Sequence, residues 1–143
     1  MNIADLLNSI YSNIVPFVIL LSILVFVHEF GHFIVARLCG VRVEVFSIGF
    51  GKKILSYKKG DTVYCVSLIP LGGYVKMFGE QNGDAIPESE RHVSYTHKTV
   101  WQRMAIVLAG PLMNLFFAIV VFAGISYFGE QTRSARIAEV QAG

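Results

Sequence analysis

This chain is poor in charge and in cysteine, and each shortage excludes a class of protein. Charged residues make up 15% of the 143 residues, whereas an average soluble domain has about 25%. The two cysteines, Cys39 and Cys65, form no CxxC pair and are too few for a disulfide scaffold or a cysteine zinc site. The net charge of +2 gives no reason to expect a nucleic-acid partner.

Lysine and arginine are absent from residues 1–36, which excludes a secretory signal peptide because its first region is basic. Between Ile14 and Ala36 the only polar side chains are Ser22, His28, Glu29 and His32. A helix of that length measures about 34 Å, enough for a hydrocarbon core of about 30 Å. A second apolar run, from Met104 to Phe128, has no charged residue. We therefore predict two transmembrane helices, over residues 14–38 and 104–128.

The basic residues indicate how these helices are oriented. Ten of the twelve lysines and arginines lie between Arg37 and Arg103. Because loops rich in lysine and arginine stay in the cytoplasm, we expect the connecting loop to be cytoplasmic and both termini to lie on the other side.

The first half of this loop has the pattern of a small β region. Hydrophobic alternation is typical of half-buried strands, and clusters of glycine, proline and charged residues mark turns. Gly49-Phe50-Gly51 breaks one alternating run. We predict three or four short antiparallel strands, packed against the membrane end of the first helix; the candidate segments are 41–48, 54–57, 62–69 and 74–77.

An HExxH motif, His28 to His32, lies inside the first predicted span. Residues four apart share one face of a helix, so both imidazoles can bind one Zn²⁺, and Glu29 on the adjoining flank can act as general base. Each ionisable residue at mid-span costs about 2.5–3.5 kcal/mol, so three together indicate a partner or a metal.

Other interpretations of these residues stay open. His28 and His32 are also compatible with buried, hydrogen-bonded histidines or with haem ligands, although the facing span contains no histidine for a haem. Gly49 and Gly51 are also typical of ordinary turns. Asn114 is also typical of a polar contact between membrane helices.

Four segments in the order HEFGHFIVAR, VRVEVFSIGFGKKI, IPLGGYVKMFGE and AGPLMN resemble the site-2 protease family of intramembrane zinc metalloproteases, of the bacterial type that regulates sigma E. The resemblance implies that His28 and His32 bind Zn²⁺ and that Glu29 is catalytic. It also implies a re-entrant β-loop containing Gly49, Phe50 and Gly51, which with Asn114 of a GxxxN pattern would contact the substrate.

The resemblance further implies a multi-pass protein of the bacterial inner membrane. Its substrates would be single-span membrane proteins, such as an anti-sigma factor trimmed outside the membrane, or remnant signal peptides. The expected organisation is a periplasmic segment (1–13), a transmembrane helix (14–38), a membrane-associated β region (39–79), a cytoplasmic connector (80–103), a second transmembrane helix (104–128) and the periplasmic start of a PDZ domain (129–143).

One feature of the family has no counterpart in this sequence. The third zinc ligand in the family is an aspartate on a later span, and all three aspartates here lie outside the two predicted spans. We therefore expect an N-terminal portion of a larger enzyme, inactive by itself. A different membrane zincin and a non-catalytic two-span fragment are the alternatives.

Overall fold

The structure is a computed structural model, and it describes residues 2–81 and 86–129. The elements are two long helices, two long strands and a short 3-10 helix: α1 (Ile3–Leu38), β1 (Val43–Lys59), β2 (Thr62–Met77), the 3-10 helix (Glu88–Val93) and α2 (Val100–Phe128). The predicted combination of two apolar helices with a small antiparallel sheet is confirmed.

Both helices are long and apolar enough to cross a membrane, over Ile10–Leu38 and Val100–Phe128. α1 begins at Ile3, before the predicted span, because residues 2–13 contain no glycine or proline to interrupt it. α2 begins with a capping box in which the Thr99 side chain accepts from the Gln102 amide and the Gln102 side chain accepts from the Thr99 amide. These two bonds satisfy amide groups that a helix start leaves unpaired.

The sheet has two long strands and not the predicted three or four short ones, because each strand runs through two of the predicted segments. β1 and β2 are 17 and 16 residues long and are joined at Gly60, which has a φ of 61°. The sequence predicted strand ends at the glycines, whereas β1 continues past Gly49 and Gly51 with a bulge and β2 continues past Gly72 and Gly73. The register of β1 shifts between Ile48 and Phe50, which marks a β-bulge at Gly49. Glycine tolerates the irregular backbone that a bulge requires.

Each strand bends, so that four segments lie side by side. Residues 45–48 pair with 73–76 on one side and with 63–66 on the other. In the second pairing the residue numbers rise together, from Val45 with Val63 to Ile48 with Val66, so these two segments run in the same direction. Residues 63–66 also pair with 55–58. The segment from Gly73 to Val75 is therefore at one margin of the sheet.

The sheet packs along α1 and not only against its end. Phe46 of β1 makes edge contacts with Phe26 and Phe33 of α1, with ring centroids 6.1 and 5.2 Å apart. Ser22 donates a hydrogen bond to the Pro70 carbonyl at 2.9 Å. Ser22 precedes Phe33 by about 16 Å of helix. The β region thus lies beside the part of α1 that carries the HExxH motif.

The described part of the predicted connector is packed against the start of β1. The Arg42 amide donates to the Val93 carbonyl at 3.0 Å, and the Arg42 guanidinium pairs with Glu90 at 3.2 Å. A buried apolar cluster joins this region to both helices; its members are Ala36, Val41, Val43, Met77 and Ile106. The predicted PDZ segment, 129–143, lies outside the described residues except for Gly129.

Candidate metal centre

α1 places the two motif histidines on one face, as their spacing predicts. The ring centroids of His28 and His32 are 4.8 Å apart, with an angle of 78° between the ring planes. His28, Glu29 and His32 are all half-buried. One helix thus presents two imidazoles and a carboxylate to the interior between the helices and the sheet.

α2 crosses α1 at two glycines, and both are needed for the close approach. A Cβ added at Gly31 would overlap the Ala109 carbonyl oxygen and stand 2.9 Å from the Met113 Cβ. A Cβ added at Gly110 would overlap His32 Nε2 and stand 2.6 Å from His28 Nε2. The Nε2 atoms of both histidines therefore reach the same small region, directly beside Gly110.

The other nitrogen of each ring contacts α2. His32 Nδ1 lies 2.7 Å from the Ile106 carbonyl oxygen. A carbonyl can only accept, so this Nδ1 carries the proton and His32 Nε2 keeps a lone pair for a metal. His28 Nδ1 lies 3.4 Å from the side-chain amide of Asn114. Ile106, Gly110 and Asn114 follow one another at intervals of four, on one face of α2.

Glu29 faces the sheet. A Cβ added at Gly73 would be 3.1 Å from Glu29 Cγ, so the backbone of β2 passes directly over this side chain. Glu29, His32, Gly73 and Val75 line a cavity of about 240 Å³. Within residues 2–81 and 86–129, no hydrogen bond or ion pair occupies the Glu29 carboxylate. It is therefore free to exchange a proton with a molecule in this cavity.

The donor atoms fit a zinc ion in part. Two converging imidazole nitrogens are typical zinc ligands, and the contact with Ile106 holds one of them in the metal-binding tautomer. In the part of the chain that the structure describes, no group of three His, Cys, Asp or Glu side chains is arranged to hold a metal. Hydrolytic zinc sites use three protein ligands. The described residues thus bring together two of these three ligands.

Gly49, Phe50 and Gly51, predicted as substrate contacts, form the bulge of β1. Gly49 and Gly51 have φ angles of 89° and 84°, which strongly favour glycine. Phe50 stacks on Tyr74, with centroids 6.3 Å apart, and Tyr74 lines the cavity of Glu29. This bulge is therefore one side chain away from the candidate metal centre.

Sequence reasoning did not single out Gly73 or assign Gly110 to the metal centre. A glycine within a strand indicates a close approach of the backbone to another group, so Gly73 carried a usable signal. Gly110 is the glycine of the GxxxN pattern, but its contact with the histidines depends on how the two helices cross, which the pattern does not predict.

Comparison with known proteins identifies relatives of this chain. A sequence model of peptidase family M50 matches residues 16–141. The regulator of sigma-E protease RseP of Salmonella typhimurium strain 14028s is 53% identical over 117 residues, which are 80% of this chain and 25% of that protein. Protease RseP of Yersinia pestis is 55% identical over 117 residues, also 80% and 25%.

A protein of Vibrio cholerae whose name describes a zinc metalloprotease is 46% identical over 135 residues, which are 94% of this chain and 30% of that protein. The chain thus spans about a quarter to a third of the length of these relatives.

Proposed function

Because the chain belongs to peptidase family M50, we propose that it supplies two zinc ligands and the catalytic glutamate of an intramembrane zinc metalloprotease. The observation that carries the proposal is the convergence of His28 Nε2 and His32 Nε2 beside Gly110, with an unoccupied carboxylate on Glu29 at the next position. The family match favours this function over a membrane zincin of another family, which the HExxH motif alone leaves open.

The two apolar helices and the relatives named RseP indicate a membrane protein. We place it in the bacterial inner membrane, with the connector on the cytoplasmic side and the sheet extending from that side along α1. The number of basic residues between Arg37 and Arg103 supports that orientation. His28 precedes the end of α1 by about 15 Å of helix, so the metal centre would lie within the bilayer. Cleavage there would occur inside a transmembrane segment.

The mechanism assigns one role to each motif residue. His28 and His32 would hold the zinc ion, which when bound polarises the scissile carbonyl and makes the attacking water more acidic. Glu29 would take one proton from that water as its oxygen adds to the carbonyl carbon. Glu29 would then deliver the proton to the departing amide nitrogen as the carbon–nitrogen bond breaks. The cavity between Glu29 and Gly73 gives the carboxylate room for both transfers.

A substrate helix must unwind before its peptide bonds can be attacked, and its freed backbone groups then need partners that lipid cannot supply. Gly73, Tyr74 and Val75 each pair with a single residue of β1, whereas Phe46, Ser47 and Ile48 pair on both sides. The margin of the sheet beside Glu29 is therefore suited to pairing with an extended substrate by strand addition.

Four residues are proposed as substrate contacts. Gly49, Phe50 and Gly51 lie next to this margin, since Ile48 pairs with Gly73 and Phe50 stacks on Tyr74. Asn114 lies beside His28 on α2, so it would touch only a substrate residue that enters between the two helices. The substrates proposed are single-span membrane proteins, such as an anti-sigma factor, or remnant signal peptides.

The experiment is cleavage of a single-span substrate by the full-length protein reconstituted in lipid vesicles, with the products identified by mass spectrometry. We expect one cut within the apolar segment, loss of cleavage with a zinc chelator and recovery with added zinc. His32→Ala should abolish cleavage, whereas His92→Ala, at an exposed connector residue, should not. A cut only outside the apolar segment, or equal cleavage by His32→Ala, would contradict the proposal.

A further inference from the structure

Asn114 contacts His28 through one end of its side-chain amide, while the other end has no hydrogen-bond partner among the described residues. Its nitrogen, Nδ2, faces His28 Nδ1 at 3.4 Å. Its oxygen, Oδ1, is buried and has no hydrogen-bond partner among the described residues. A buried amide oxygen without a donor is unfavourable, because it has lost its hydrogen bonds to water. The two ends of a side-chain amide are interchangeable by a half-turn, and the hydrogen-bond network decides which end faces which group.

The two orientations have opposite consequences for His28. If Nδ2 donates to Nδ1, the ring proton must be on Nε2, and Nε2 then has no lone pair for a metal. If Oδ1 faces the ring, Nδ1 donates to it, and Nε2 is left with a lone pair. The second orientation also gives the amide oxygen a donor, and the amide nitrogen then takes the buried position that the oxygen occupied. It matches the arrangement at His32, where the Ile106 carbonyl accepts from Nδ1.

We propose that Asn114 is a positioning residue for the metal: its side-chain oxygen accepts from His28 Nδ1 and fixes His28 in the tautomer whose Nε2 binds zinc. One face of α2 then orients both ligands, with the Ile106 carbonyl holding His32, the Asn114 carbonyl holding His28, and Gly110 leaving room between them. The zinc part of this inference rests on the proposed function, whereas the tautomer of His28 does not.

The chemistry of the contact sets the choice of variants. Aspartate has the same shape as asparagine and can only accept when ionised, so Asn114→Asp keeps the proposed bond. Leucine has a similar size and can neither accept nor donate, so Asn114→Leu removes it. If the amide nitrogen were instead the donor to Nδ1, His28 of the wild type would carry its proton on Nε2, and Asn114→Asp would move that proton to Nδ1.

The first measurement is ¹⁵N NMR of the metal-free full-length protein labelled on histidine, at a pH where imidazole is neutral. Signals of His28 and His32 are assigned by their loss in His28→Gln and His32→Gln. We expect His28 to carry its proton on Nδ1 in the wild type and in Asn114→Asp, and to shift towards Nε2 in Asn114→Leu. His32 should keep its proton on Nδ1 in all three proteins and serves as the internal control. A proton on His28 Nε2 in the wild type would overturn the inference.

The second measurement is the affinity for zinc, by competition with a chelating dye. Loss of a group that orients a metal ligand typically costs 10–100-fold in affinity, and we expect a loss of about that size in Asn114→Leu. Asn114→Asp should bind at least as tightly as the wild type. Equal affinity in Asn114→Leu would overturn the positioning role. A wild-type protein with the expected tautomer and no zinc binding would instead contradict the proposed function, so the two failures are distinguishable.

Discussion

At the scale of single residues, Gly110 decides whether two imidazoles fit at the helix crossing. The HExxH spacing predicts that His28 and His32 share a face, and the structure places them so. The spacing cannot predict what lies opposite, because that depends on contacts between residues far apart in the chain. Gly110 beside both Nε2 atoms, and Ile106 behind His32, are therefore findings of the structure alone.

We expect Gly110→Ala to lower zinc affinity about tenfold or more, a change of the size seen when the surroundings of a metal ligand are altered. The added methyl group would displace both Nε2 atoms from their common position. The matched control is Gly124→Ala on the same helix, where an added Cβ meets nothing within 4 Å. Zinc content and thermal unfolding of both variants provide the measurement. Equal zinc content in the two would show that the metal lies elsewhere.

At the scale of elements, glycines set the distances between α1, α2 and the sheet. The two long apolar runs of the sequence predict the two helices well, because both runs are almost without charge. It predicts the strand ends poorly: Gly49 and Gly51 look like turn residues, but they form a bulge within a continuous strand. Local patterns cannot distinguish a turn from a bulge when the pairing partner is distant.

Two glycines with positive φ allow this bulge to be tested. Gly49 has a φ of 89° and Gly60 a φ of 61°, so alanine is strained at both. An added Cβ would be 2.8 Å from the Ile69 carbonyl oxygen at Gly49, but would meet nothing at Gly60. We expect Gly49→Ala to reduce cleavage by the full-length protein at least tenfold and Gly60→Ala to reduce it less than threefold, order-of-magnitude expectations from crowding against backbone. A reversed order in a kinetic assay would contradict a role for the bulge.

The crossing of α1 and α2 gives a prediction about stability. Gly31→Ala would place its methyl group against the Ala109 carbonyl and Met113. Overpacking of this kind costs about 1–3 kcal/mol. Unfolding of Gly31→Ala in a denaturing detergent, compared with Gly124→Ala, checks it. If Gly31→Ala proved as stable as the control, the helices would not approach as closely as the structure places them.

At the scale of the whole molecule, the distribution of basic residues predicts the orientation in the membrane. With Cys39 and Cys65 replaced by alanine, a cysteine introduced at the exposed Ser89 should react with an impermeant thiol reagent only after cells are permeabilised. The reason is that the connector containing Ser89 would face the cytoplasm. Labelling of intact cells would show the opposite orientation.

Residues 1–143 produced alone should insert into membranes yet show no peptidase activity. Two histidines are the only ligands that the described residues direct at one point, and a hydrolytic zinc site needs three. The measurement is turnover of a single-span substrate by the purified residues 1–143 with added zinc. Turnover that disappears in Glu29→Gln would show that the 143 residues complete the site themselves.

The most direct test of the account compares the wild-type full-length protein with Glu29→Gln, measuring zinc content and cleavage on the same preparations. The substitution keeps the size of the side chain and removes the base, while both histidines remain. We predict equal zinc content and a fall in cleavage of about 10²–10⁴-fold, the contribution typical of a general base. Glu88→Gln, at an exposed carboxylate of the 3-10 helix, should retain both. Cleavage by Glu29→Gln at the wild-type rate would contradict the assignment of this site.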